Sequence, residues 1–94
     1  MYAAVRRYEG VTDSAEAARL VNEGFVALMR QVSGFVAYYW IDAGDGVMVS
    51  TSVFQDRAGA DESISRAADF VRDNLASLLP NPPQVVAGEV VASA

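Results

Sequence analysis

Hydrophobic and polar positions along this chain form two helical stripes, and between them lies a pair of segments that are apolar at every phase. From Asp13 to about Val32, the residues Ala18, Val21, Phe25, Leu28, Met29 and Val32 recur every three or four positions, while Glu16, Arg19, Glu23 and Arg30 lie opposite. That spacing predicts one amphipathic helix. Asp13 is placed to accept an orphan amide, with Glu16 three residues on to complete a capping box. Gly34 closes the run, because the residue just past a helix commonly needs a positive φ. A second stripe follows Phe54, its start somewhere within 56–61. Ile64, Ala67 or Ala68, Val71, Leu75 and Leu78 form its apolar face, and Arg66, Asp69, Arg72 and Asp73 lie outside. Pro80, Pro82 and Pro83 stop it.

The segments between the stripes, GFVAYYWID from Gly34 and GVMVSTSVF from Gly46, read as two strands joined at the loop Asp42–Gly46. YAAVRRY, from Tyr2 to Tyr8, reads as a first strand and QVVAGEVV, from Gln84, as a fourth. The order βαββαβ with right-handed crossovers predicts an α+β, ferredoxin-like sandwich: a four-stranded antiparallel sheet with two helices on one face, in one domain over residues 1–94. Strands without a polar side need cover on both faces, and one layer of helices covers only one. The alternation therefore suggests a far face carrying Arg6, Tyr8, Tyr38, Trp40, Ser50, Ser52 and Phe54, closed by a second copy laid sheet against sheet.

Composition narrows the chemistry. The 94 residues contain no His and no Cys, and all seven basic residues are Arg. The commonest general base, the commonest metal ligand, thiol nucleophiles and zinc-thiolate sites are thereby excluded. Lysine Schiff bases and Walker-type phosphate binding go with them. The expectation is no cofactor and no metal. A net charge of −5 argues against nucleic acid as a partner, since phosphate neutralisation needs a basic surface. No apolar run is long enough to span a bilayer, so a cytoplasmic location is expected with no membrane partner.

The remaining candidates are hydrogen-bond donors. Tyr38 and Trp40, at i and i+2, share a side and form an aromatic wall with two donors, suited to dimer packing or to ligand contact. Asn22 sits at the edge of the first stripe, aimed either into a pocket or at the helix flank. Arg6 and Glu89 lie on strands expected to be neighbours, as an ion pair or as part of a substrate clamp. Tyr8, Ser50 and Ser52 complete the ligand-binding set, although without a His base neither serine is set up as a nucleophile. If there is turnover, Arg6, Asn22 and Trp40 are the candidates to carry it.

Arg6-Arg7-Tyr8-Glu9-Gly10, Gly34-Phe35-Val36-Ala37-Tyr38-Tyr39, Val53-Phe54-Gln55-Asp56-Arg57-Ala58-Gly59-Ala60 and Gly88-Glu89-Val90, with the Asp-Gly hairpin between them, resemble the antibiotic-biosynthesis-monooxygenase group of dimeric α/β barrels over almost the whole chain. The resemblance implies a homodimer whose sheets enclose a cavity for a small apolar or aromatic molecule. Some members of that group oxygenate polycyclic phenols without a cofactor, and others degrade haem with an Asn, Trp and His set. The missing His sets this chain apart from the haem-degrading members. The implied function is then a cofactor-independent monooxygenase, a non-catalytic ligand binder or a structural dimerisation module.

Overall fold

The computed structural model describes residues 1–94. Four strands, β1 (Tyr2–Tyr8), β2 (Phe35–Gly44), β3 (Val47–Phe54) and β4 (Gln84–Glu89), form one antiparallel sheet in the order β2-β3-β1-β4. With two helices on one face, this is the expected ferredoxin-like α+β fold. The β2–β3 hairpin closes through Asp45 and Gly46, both at positive φ (54° and 75°), between paired Gly44 and Val47. Two central residues at φ > 0 give a turn whose twist matches that of the strands, which is why Asp-Gly serves there.

The first helix runs from α1 (Ser14–Leu20) through a π-helical turn (Val21–Phe25) into α2 (Val26–Arg30). Asp13 caps it, its carboxylate accepting from Glu16 N–H at 3.1 Å. The reciprocal half of the expected capping box is absent, because Glu16 pairs with Arg19 instead. The second helix, α3 (Arg57–Phe70), starts at the cap Asp56, whose side chain accepts from Gly59 N–H, and also ends in a π turn, Val71–Leu75. Gly59 is required there: a Cβ would stand 2.7 Å from the Ser33 carbonyl oxygen.

Val21, Phe25 and Met29 from the first helix and Ala67 and Leu75 from the second pack on Tyr8 and Phe54 of the sheet. Each large side chain buried there is worth about 1.5–3 kcal/mol. Strand register identifies the face beneath the helices. Arg6 pairs with Ser50 and Ser50 with Trp40, Ser52 pairs with Tyr38, and Phe54 with Tyr2. The set Arg6, Tyr8, Tyr38, Trp40, Ser50, Ser52 and Phe54 thus does share one face, but it is the helix-covered face, not the bare one expected from the alternation. A bulge in β2 between Phe35 and Ala37 keeps Phe35 and Tyr38 on that same side. The bare face carries the other set, including Val5, Tyr39, Ile41, Val49, Thr51, Val53 and Val86; Tyr39 is 62% and Val86 72% exposed. No helix is long and apolar enough to cross a membrane.

Candidate functional site

Sheet and helices enclose a chamber lined by Arg6, Tyr8, Tyr38, Trp40 and Ser50 from below and by Val21, Phe25, Ala67, Phe70, Val71 and Leu75 from above. Both π turns contribute to its roof, Val21 and Phe25 from one, Val71 and Leu75 from the other. An i→i+5 turn widens the helix locally and re-aims its side chains, a feature that recurs at functional sites. The chamber leaves about 10 Å³ open to the centre of a water molecule, enough for one water. Arg6, Tyr8 and Val71 also border an adjoining cleft of about 280 Å³ on the same measure, between α3 and β4, completed by Ile64, Ala68, Arg72, Pro83 and Val85.

Arg6 is the unusual residue. It is only 3% exposed, and neither terminal guanidinium nitrogen has a hydrogen-bond partner; Trp40 Nε1 is likewise buried and unpartnered. Arg6 belongs to none of the seven ion pairs. The expected partner, Glu89, is out of reach in register: β1 and β4 pair Arg6 with Val85 and Tyr2 with Glu89. Burial lowers the Arg6 pKa, against the opposing pull of Tyr8 and Tyr38. A buried cation without a counter-charge or acceptor in the chain is costly, and a group of that kind calls for an explanation.

Around it stand neutral hydroxyls. Burial raises the Tyr8 pKa against the influence of Arg6. Burial raises that of Tyr38 as well, with the neighbouring Ser50 opposing. The Tyr8 and Trp40 rings lie 5.6 Å apart and tilted, and Tyr38 meets Phe25 edge to face at 5.3 Å. Ser50 lines the chamber, whereas the Ser52 hydroxyl is taken up by the Ala4 carbonyl at 3.3 Å and does not. Asn22 lies on the exposed side of the first helix and takes no part in the lining, because the π turn directs Val21 and Phe25 inward. Phe70 and the outer cleft went unread in the sequence. The signal for Phe70 was present, since it lies three residues after Ala67 of the second stripe.

Neither a protein-family model nor a curated protein sequence matches the chain. Solved structures do. A protein of unknown function from Nitrosomonas europaea superposes with a TM-score of 0.83 at 24% identity, over 99% of this chain and 91% of that one. A monooxygenase from the gene ActVA-Orf6 of Streptomyces coelicolor, in complex with the ligand nanaomycin D, gives 0.68 at 24% identity over 98% and 92%. An antibiotic biosynthesis monooxygenase gives 0.71 at 20% identity over 98% and 100%. The fold is that of the antibiotic biosynthesis monooxygenases. Likeness at this level of identity establishes architecture, and function is argued from the site.

Proposed function

We propose that this chain binds a small, mostly apolar aromatic molecule between its sheet and its helices, as a homodimer. The observation behind the reading is the buried, unpartnered Arg6 guanidinium, which borders both the chamber it shares with Trp40 and the apolar cleft. Ligand sites are mostly apolar with a few converging polar groups, and here the aromatic walls supply area while Arg6 and Trp40 supply orientation. The ligand lies within one protomer rather than between two sheets, since the candidate residues face the helices. Cover for the bare sheet face is the role of the second copy, and a dimeric ferredoxin-like protein shares the fold at a TM-score of 0.73. Trp40 is the only tryptophan, so its fluorescence reports the site directly. Titration with polycyclic aromatics should change it saturably at one molecule per protomer, and no change with any of them removes the reading.

Turnover is a second reading, favoured by the likeness to a monooxygenase solved with a ligand. Arg6 would stabilise a phenolate, lowering the cost of removing its proton, and the anion would react with dioxygen. One oxygen atom enters the ring as a quinone carbonyl and the other leaves as water, both electron pairs coming from the substrate, so no flavin or metal is required. Oxygen uptake equal to the quinone formed tests it. A protein that binds such phenols without consuming oxygen is a binder only.

A further inference from the structure

We propose that the buried end of the ligand is a carboxylate, so that the chain takes up a small aromatic monocarboxylic acid as its anion; this rests on the binding reading above and makes Arg6 an anchor for the ligand's head. Three N–H groups present themselves without an acceptor: Nη1 and Nη2 of Arg6 and Nε1 of Trp40. Arg6 and Trp40 line the chamber and Arg6 also lines the cleft, whose roughly 280 Å³ has the room for the ligand's body that the chamber lacks, and no Asp or Glu lines either. No acceptor within the chain meets these donors, and a negatively charged one would complement the single buried positive charge that the chain leaves unpaired here.

The number of donors decides among anions. Two terminal nitrogens of one guanidinium form a planar fork that matches the two oxygens of a carboxylate, and the third donor takes a remaining lone pair. A single phenolate oxygen meets the fork less completely. A phosphate monoester would bring close to two negative charges against one cation in a chain of net charge −5. Beyond the anchor, the cleft continues over Ile64, Ala68, Val71, Pro83 and Val85, and the other cation at its edge, Arg72, is already paired with Asp69 and Asp73. The rest of the molecule is thus apolar and carries no second acid.

The test uses the full-length protein and three probes of one shape, naphthoate, naphthamide and naphthol, titrated by calorimetry at neutral pH. Naphthoate should bind about tenfold or more tightly than either neutral probe, the effect of adding charge to a hydrogen-bonded pair. Arg6→Gln should bring naphthoate down to the level of naphthamide while retaining naphthamide affinity. Should that variant misfold, Trp40→Phe, which keeps ring and shape but loses one donor, should reduce the naphthoate preference severalfold. Naphthamide or naphthol binding as tightly as naphthoate overturns the carboxylate assignment and leaves the pocket standing. Failure of all three to bind overturns the pocket as well.

Discussion

Phe70 lies against the backbone of Gly24, so close that a Cβ on Gly24 would come within 2.9 Å of the ring. Gly24 belongs to the first π turn, and Phe70 immediately precedes the second and roofs the chamber, 5.2 Å from Phe25 between ring centres. The missing side chain is what allows the two helices to close over Arg6. Gly24→Val should cost about 1–3 kcal/mol in urea unfolding by overpacking, despite the usual penalty for glycine in a helix. In combination with Phe70→Ala the penalty should shrink, with a coupling of about 0.5–3 kcal/mol in a double-mutant cycle. Strict additivity of the two changes would show that they do not meet.

Arg6 itself should be a liability in the ligand-free protein. Breaking a buried ion pair costs stability, but this charge has no pair to break, and its burial is unfavourable in advance. Arg6→Met keeps the length of the side chain and removes the charge. We expect the ligand-free variant to be about 1–3 kcal/mol more stable than the parent at equal protomer concentration, and to lose carboxylate binding. A loss of stability instead would mean that the guanidinium is satisfied in the empty protein.

Much of the fold was legible because both helices obey a 3.6-residue period and the hairpin carries an Asp-Gly turn. The face of the sheet was not. A period of two sorts residues into two sets without saying which set is inside, and inverting the choice moves every residue at once. Arg6, Tyr8, Ser50 and Ser52 look like an outer set, whereas Val5, Val49 and Val53 look like a core. A discriminating signal lay in residue size: Ala4, Ser52, Ala60 and Ser63 are all fully buried, small where sheet and second helix approach closely. The π turns have no comparable mark in the sequence, and Asn22, which its place at the stripe's edge leaves open to pocket or helix flank, takes the flank.

The buried phenols predict a loss of stability in alkali. Tyr8 and Tyr38 both have raised pKa values in the folded state, mainly through burial. In the unfolded chain a tyrosine loses its proton near pH 10, as a model phenol does. Above that pH the unfolded state binds fewer protons than the folded one, so stability is full below about pH 10 and falls as pH rises, until the folded-state phenols ionise too. Each tyrosine contributes a slope of at most about 1.4 kcal/mol per pH unit. Tyr38→Phe should reduce the slope measured by denaturant unfolding, and an unchanged slope would contradict the assignment.

The proposed dimer places its weight on residues opposite those of the ligand site, and that separation makes the two testable apart. Tyr39 and Ile41 on β2 and Val86 on β4 stand exposed on the bare face, which is otherwise lined by β-branched residues such as Val5, Val49 and Val53. A stable interface buries about 1,600 Å² in total around an apolar core, and these exposed side chains supply such a core. A charge at Ile41 would be left unpaired in that interface, so Ile41→Glu should shift sedimentation at micromolar concentration from dimer toward monomer. Trp40→Phe, altered on the helix-covered side, should leave the dimer intact while changing ligand affinity. If the parent sediments as a monomer throughout, the bare face is not the dimer contact. The proposed ligand site, which lies within one protomer, would remain to be judged by its own titrations.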